Sequence, residues 1–351
     1  MVLMMKKLLT GLVVLALSFT CQAEREFTDQ LGRKVIIDDT VERVAVLQHQ
    51  TLNLLVQMDA TDKIVGVMGN WREQLGKNYE RLAPKLTGLP NIGDLKTVNL
   101  ESLVQLKPQV VFVTNYAPQE MIDKITNVGI PVVAISLQKD NGSKAKNNLN
   151  PELEDEEQAY NEGLKEGITL IGDIVNKSDN AHSLIKETFD SRDLVAQRLK
   201  DIPEDKRIRA YMANPELTTY GSGKYTGLMM KHAGAMNVAA ATIKGYKQVS
   251  LEQVISWDPE VIFIQDRYPN VVDEINNDPR WQVIDAVKNK RVYLMPEYAK
   301  AWGYPMPEAM AIGELWMAKK LYPEKFADID VDTAANNWYQ TFYRVQYKDN
   351  K

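Results

Sequence analysis

The side chains able to do chemistry in this chain are mostly hydrogen-bond donors, and they gather just behind short aliphatic runs. His49 and Gln50 follow Arg43–Leu47 (RVAVL), Asn70 and Trp71 follow Lys63–Met68 (KIVGVM), and Tyr116 follows Val110–Val113. In the second half, Ser222, Gly223, Lys224 and Tyr225 lie in YGSGKYTG (220–227), and Arg267 follows Val261–Gln265. Trp302 lies in the stretch 297–305, after the run Arg291–Met295. Hydroxyls, amides, indole N–H and cationic groups all donate hydrogen bonds, and together they suit an anion rich in oxygen atoms. Asp266, beside Arg267, is the acidic exception. Each residue also has a plainer reading. Trp71 and Trp302 could line a cavity through apolar area alone, Lys224 could be a solvated charge, and His49 could be a satisfied structural histidine.

YGSGKYTG precedes a predicted helix over Gly227–Ala233, with Gly234 at its C-terminal end. Its backbone N–H groups could point at an anion beside the positive end of that helix. Gly221 and Gly223 would permit the close approach. The GxxxxGK[ST] spacing of a nucleotide phosphate loop is absent. Catalysis has little to stand on, because there is no GxSxG elbow and no Ser/His/acid set. The three histidines, His49, His182 and His232, lack metal-ligand spacing. A binding protein with no cofactor and no metal is therefore expected, not an enzyme. Metal insertion between two similar lobes, using the cleft histidine, is the enzymatic alternative.

Something must hold these donors together, and a repeat supplies it. Residues 98–113 (VNLESLVQLKPQVVFV) and 249–264 (VSLEQVISWDPEVIFI) match at an offset of 249 − 98 = 151 positions. Solenoid repeats have periods of roughly 20–50 residues, so this spacing indicates two similarly built lobes. A cleft between lobes is a favoured place for a small ligand. Runs that are aliphatic throughout, alternating with helical segments, imply parallel sheets with crossover helices. The expected fold is thus α/β, with two Rossmann-like lobes, parallel sheets and a ligand cleft between them. Ligands in such sheets sit beyond the carboxyl ends of the strands. That rule selects the loops 48–51, 69–72, 115–118, 213–227, 265–268 and 297–305. The same offset sets Asn115-Tyr116-Ala117-Pro118 against Asp266-Arg267-Tyr268-Pro269. It also relates Glu101 and Glu252, either as solvent-facing carboxylates or as a matched pair that docks on a symmetric partner with two basic sockets.

Residues 179–200, with Ser178 as N-cap, read as one helix of about 33 Å at 1.5 Å per residue. It would join the lobes as a stiff strut. The division is a leader over 1–23, a first lobe over 24–177, the joining helix over 178–200 and a second lobe over 201–351. Lys6 and Lys7, the apolar run Leu8–Leu17 and Cys21-Gln22-Ala23 form a secretory leader cut after Ala23. Lipid attachment at Cys21 is the alternative, but bulky Phe19 stands where a small residue is wanted. The mature chain would have 351 − 23 = 328 residues and no cysteine, and would act in the periplasm as a monomer. The net charge of −5 and scattered Lys and Arg give no footing for nucleic acid.

At these residues the chain resembles the class III substrate-binding proteins of ABC importers for iron-siderophores, haem and vitamin B12. The resemblance spans the mature chain and rests on NLESLVQLKP, SLEQVISWDP, the Gly-rich loop and Ala301-Trp302-Gly303-Tyr304-Pro305. It implies two α/β lobes joined by one long helix, and an inner-membrane permease and ATPase as partners. It also implies that Glu101 and Glu252 dock on permease arginines. Further segments, LQHQTLN (47–53), TNYAPQEM (114–121), residues 211–245, QDRYP (265–269) and MPEYAKAWGYPMPEAM (295–310), are similar to members that bind molybdate or tungstate. That narrower resemblance implies capture of a compact dianion. A ferric-siderophore or haem-type ligand is the alternative.

Overall fold

The computed structural model describes residues 23–139, 150 and 152–347. The leader up to Gln22, Cys21 included, and most of the polar stretch 138–158 lie outside the described residues. The chain opens with an antiparallel hairpin, β1 (Glu24–Thr28) and β2 (Lys34–Asp38). Four parallel strands follow, β3 (Val44–Val46), β4 (Ile64–Val67), β5 (Val110–Thr114) and β6 (Val132–Ile135), in the order β4-β3-β5-β6. Every residue of β3, β5 and β6 is buried, as strands covered on both faces require. The second half holds β7 (Ile208–Ala213), β8 (Thr218–Tyr220), β9 (Ala235–Asn237), β10 (Tyr246–Gln248), β11 (Val261–Ile264) and β12 (Val292–Leu294). Its parallel sheet runs β12-β11-β7-β9, while β8 and β10 pair antiparallel beside it.

In the first half the helices are α1 (His49–Gln57), α2 (Trp71–Leu75), α3 (Leu100–Leu106), α4 (Gln119–Thr126) and α5 (Glu156–Ile174). After the joining helix α6 (Ser178–Leu199) come α7 (Tyr225–His232) and α8 (Leu251–Trp257). Then follow α9 (Pro269–Asn277), α10 (Asp285–Lys288), α11 (Glu314–Leu321) and α12 (Val331–Trp338). The repeat is structural down to its caps. Asn99 before α3 and Ser250 before α8 each accept a hydrogen bond, at 3.1 Å, from the third amide of the helix. Both helices end on a left-handed residue, Lys107 and Asp258, just before Pro108 and Pro259. β5 and β11 follow, each an internal strand of its sheet. Glu101 and Glu252 are exposed in the first turns of α3 and α8.

The lobes are joined as expected by α6, 22 residues long, about 33 Å at 1.5 Å per residue. It packs on α5 and on the helical segment that contains Ala309–Gly313 and α11. Ser178 is not its cap. Lys177 holds that position, and the Ser178 hydroxyl donates instead to Asp173 Oδ1 at 2.6 Å. The stretch 213–226 is not all loop, because the β-branched pair Thr218-Thr219 and Tyr220 form β8 against β10. After the loop 297–305 the chain passes through a π-helical turn at Ala309–Gly313 before α11. The residues at Tyr339–Tyr343 pack against α1 of the first lobe.

Candidate anion-binding cleft

Apolar spacing predicts a helix from Leu52, yet α1 begins at His49. A first helical turn needs no apolar residue when its side chains face a site. Gln48 holds extended backbone there, its amide donating to Ile135 O at 3.1 Å and accepting from the Thr51 hydroxyl. No side chain caps the turn from the N-cap position. His49 is 5% exposed, and its ring meets Trp302, from the other lobe, edge-on at 5.2 Å. His49 Nδ1 and Trp302 Nε1 are both buried with no hydrogen-bond partner among the described residues. So are the Tyr304 hydroxyl, Gln50 Oε1 and Asn70 Oδ1. Buried polar atoms are nearly always paired, so this cluster calls for an external partner.

Positive charge surrounds the indole. The Arg267 guanidinium lies 5.7 Å from the Trp302 ring and the Lys300 ammonium 5.0 Å from it. Lys300 is matched by a carboxylate, Glu308 Oε1, at 3.4 Å, and it donates to Glu297 O at 3.0 Å. Arg267 is held by neutral groups: its Nε donates to Gln265 Oε1 at 3.0 Å, and Nη1 lies 3.3 Å from Gln74 O and 3.5 Å from Gln74 Oε1. Gln74 belongs to α2, so Arg267 reaches across the cleft. Lys224 is 2% exposed, with its ammonium 4.3 Å from the Tyr304 ring.

The ionisation states follow from these positions. Burial, helped by Arg267 and Lys300, lowers His49 to about 3, so the imidazole is neutral. Burial also lowers Lys224 to about 7. Burial raises Asp266 toward its neutral form, against the pull of Lys300 and Arg267. The Tyr304 hydroxyl is held protonated, first by burial and then by the neighbouring Tyr116, Tyr160 and Tyr220. Gly303 makes the arrangement possible. Its φ is +82°, and a Cβ there would stand 2.8 Å from Lys224 Cε and 3.0 Å from Tyr220 Cε1.

His49 of the first lobe and Arg267 of the second therefore meet at Trp302, while Lys224 and Tyr116 lie beside the neighbouring Tyr304. The Gly-rich loop contributes its lysine but not its amides. The Gly221, Ser222 and Tyr225 N–H groups donate to Gly245, Ile243 and Gly303 carbonyls, and the Gly223 N–H donates to Glu156 Oε1 at 2.7 Å. The Ser222 hydroxyl turns to Ile243 O and the Tyr225 hydroxyl to Glu314 Oε1, at 3.3 and 2.7 Å. Trp71 is buried with Arg72 stacked on it at 4.4 Å. Tyr304, Lys300, Gln265 and Gln74 were missed. The sequence signal for Tyr304 was a glycine between two aromatic residues in the loop after β12.

The sequence profile of the periplasmic binding protein family matches residues 44–299. The chain belongs to that family. It is 61% identical over 345 residues to the molybdate-binding protein MolA of Haemophilus influenzae, covering 98% of each chain. The solved structure of that protein, bound to molybdate, matches with a TM-score of 0.91 over 93% of this chain and 100% of the other. A periplasmic solute-binding protein of Veillonella parvula, 26% identical, matches with a TM-score of 0.74 over 93% and 95%. The Fe(3+)-citrate-binding protein of Bacillus subtilis is 25% identical over 77% of each chain. This periplasmic binding protein is thus a ligand carrier and not an enzyme, and its two α/β lobes have the arrangement of these relatives.

Proposed function

We propose that this protein captures molybdate or tungstate in the crevice between its lobes and delivers it to an inner-membrane ABC permease and its ATPase. One observation supports the reading: buried polar atoms of His49, Trp302 and Tyr304 lack a partner among the described residues, and Arg267, beside Trp302, is held by neutral oxygens. A compact dianion must exchange its hydration for hydrogen bonds from fixed dipoles and an uncancelled cation. His49, being neutral, can donate without carrying charge of its own. The enclosure matters too. His49, Lys224, Trp302 and Tyr304 are each at most 6% exposed, a fit for a small anion rather than a haem or siderophore. The strong identity to a molybdate-binding relative supports the same ligand. Asn70, Gln50 and Tyr116 complete the proposed wall, while Ser222, Gly223 and Tyr225 shape its frame. Glu101 and Glu252, one on each lobe, are proposed to dock on basic residues of the permease.

Calorimetry with molybdate, tungstate, sulfate and a ferric siderophore tests the reading. Molybdate and tungstate should bind and the siderophore should not. Arg267→Ala should weaken molybdate at least tenfold, about 1.4 kcal/mol. Tight binding of the siderophore alone would overturn the oxyanion reading.

A further inference from the structure

The orientation of Arg267 is set by a relay that begins at a main-chain carbonyl. Thr218 O can only accept, and Asn214 Nδ2 donates to it at 3.2 Å. That turns Asn214 Oδ1 toward Gln265, whose Nε2 donates to it at 2.6 Å. Gln265 must then present Oε1 to Arg267, which donates from Nε at 3.0 Å. Asn214 and Gln265 are 3% and 2% exposed, so water does not compete for these amides. They sit at the carboxyl ends of neighbouring parallel strands, β7 and β11, which fixes their spacing. Only one polarity satisfies every member of the chain, and it ends on the arginine with an acceptor.

We infer that Asn214 and Gln265 are positioning residues that fix the Arg267 fork while leaving its charge uncancelled, and that this neutrality gives the crevice its selectivity for dianions. The usual way to orient an arginine is a carboxylate, which would also neutralise it. An amide pair orients it equally well and places no carboxylate on the fork, and the neighbouring Asp266 carboxyl is pushed by burial toward its neutral form. The long contacts of Nη1 to Gln74, at 3.3 and 3.5 Å, are weak enough for an anion oxygen to displace. This inference rests on the oxyanion reading above.

The test compares Gln265→Glu, Gln265→Leu and Arg267→Ala in the purified protein, with folding checked by circular dichroism. Molybdate affinity and its salt dependence are measured by calorimetry, and the Arg267 Nε–H resonance by nitrogen-15 NMR. Gln265→Glu keeps an acceptor for Nε but cancels the charge. It should keep an ordered Nε–H signal, weaken molybdate by about tenfold or more, and flatten the salt dependence. Gln265→Leu should lose the ordered signal and weaken molybdate by about fivefold. Should the glutamate variant not fold, Gln265→Leu and Asn214→Leu carry the test, each with the same expected loss. Parent-like affinity in a folded Gln265→Glu or Gln265→Leu protein overturns the inference while leaving the oxyanion reading standing. Parent-like affinity in Arg267→Ala removes Arg267 from the site and takes both down.

Discussion

Molybdate binding should be coupled to the uptake of a proton by Lys224, and the affinity should fall above neutral pH. Burial holds Lys224 at about 7 rather than 10.5. A dianion in the crevice favours the ammonium, so the bound complex has the higher pKa. The sign follows directly. Below about pH 7 the lysine is already charged and the affinity is flat. Above that value the protein must acquire a proton with each anion, and affinity drops up to tenfold per pH unit. At about pH 9 only ~1% of free Lys224 is protonated, so the loss between about pH 6 and pH 9 approaches a hundredfold, ~2.7 kcal/mol. Molybdate stays dianionic across this range. His49 starts at about 3 and does not titrate there. The buried hydroxyls of Tyr304 and Tyr116 are pushed above their ordinary range and stay neutral. Lys224→Met leaves the other groups of the site in place and should remove most of the slope. Calorimetry at about pH 8.5 in two buffers of different ionisation heat should count close to one proton taken up per anion. An affinity that is flat over this range, with no proton uptake, would refute the assignment of Lys224 to the site.

Lys224→Met should also stabilise the free protein. The folded pKa is depressed, so burial of the ammonium costs stability at neutral pH, and the cost lifts between about 7 and 10.5. The gain near pH 6 is at most ~5 kcal/mol, read from the thermal midpoint, and a less stable variant would contradict it. Trp302→Phe keeps the packing on His49 but removes the indole N–H. It should weaken molybdate about three- to tenfold in a calorimetric titration. Glu308→Gln should cost about 3–5 kcal/mol in urea unfolding, because it strips the carboxylate from buried Lys300. The double change Glu101→Ala with Glu252→Ala should leave ligand affinity intact and slow molybdate uptake in cells; normal uptake would remove these carboxylates from docking.

The repeat was the legible part of the fold. Matching segments at an offset of 151 foretold two short helices each followed by a parallel strand, though not that the helices share their capping pattern. Strand-end loops were legible as well, because aliphatic runs announce buried parallel strands and ligands collect beyond their ends. The first turn of α1 was not, since His49-Gln50-Thr51 carry no apolar spacing and the His49 ring packs on Trp302, distant in sequence. The Gly-rich loop misled for a related reason. Its glycines permit an anion nest, but the amides found carbonyl partners and Glu156, contacts far away in sequence. Lys300 and Gln265 were invisible for want of a local signal. What Lys300 does depends on Glu308, and what Gln265 does depends on Asn214, 51 residues away.

The same helix that presents His49 is clamped further along. Asn53 and Gln57 of α1 donate to Glu308 Oε1 and Oε2 at 2.9 and 2.7 Å, and the Tyr343 hydroxyl donates to Glu308 Oε1 at 2.6 Å. Glu308 is fully buried and also faces Lys300, whose ammonium lies over Trp302. One carboxylate therefore ties α1 to the loop that carries Trp302, and so fixes how His49 and Trp302 meet. A wide opening of the lobes would leave that charge without its partners, a loss of several kcal/mol. With α6 as a single strut on the other side, the lobes lack the freedom of a flexible hinge. The crevice is thus largely set before the anion arrives. Binding energy is not consumed in ordering it, which suits a site that offers only a few donors and an uncancelled arginine.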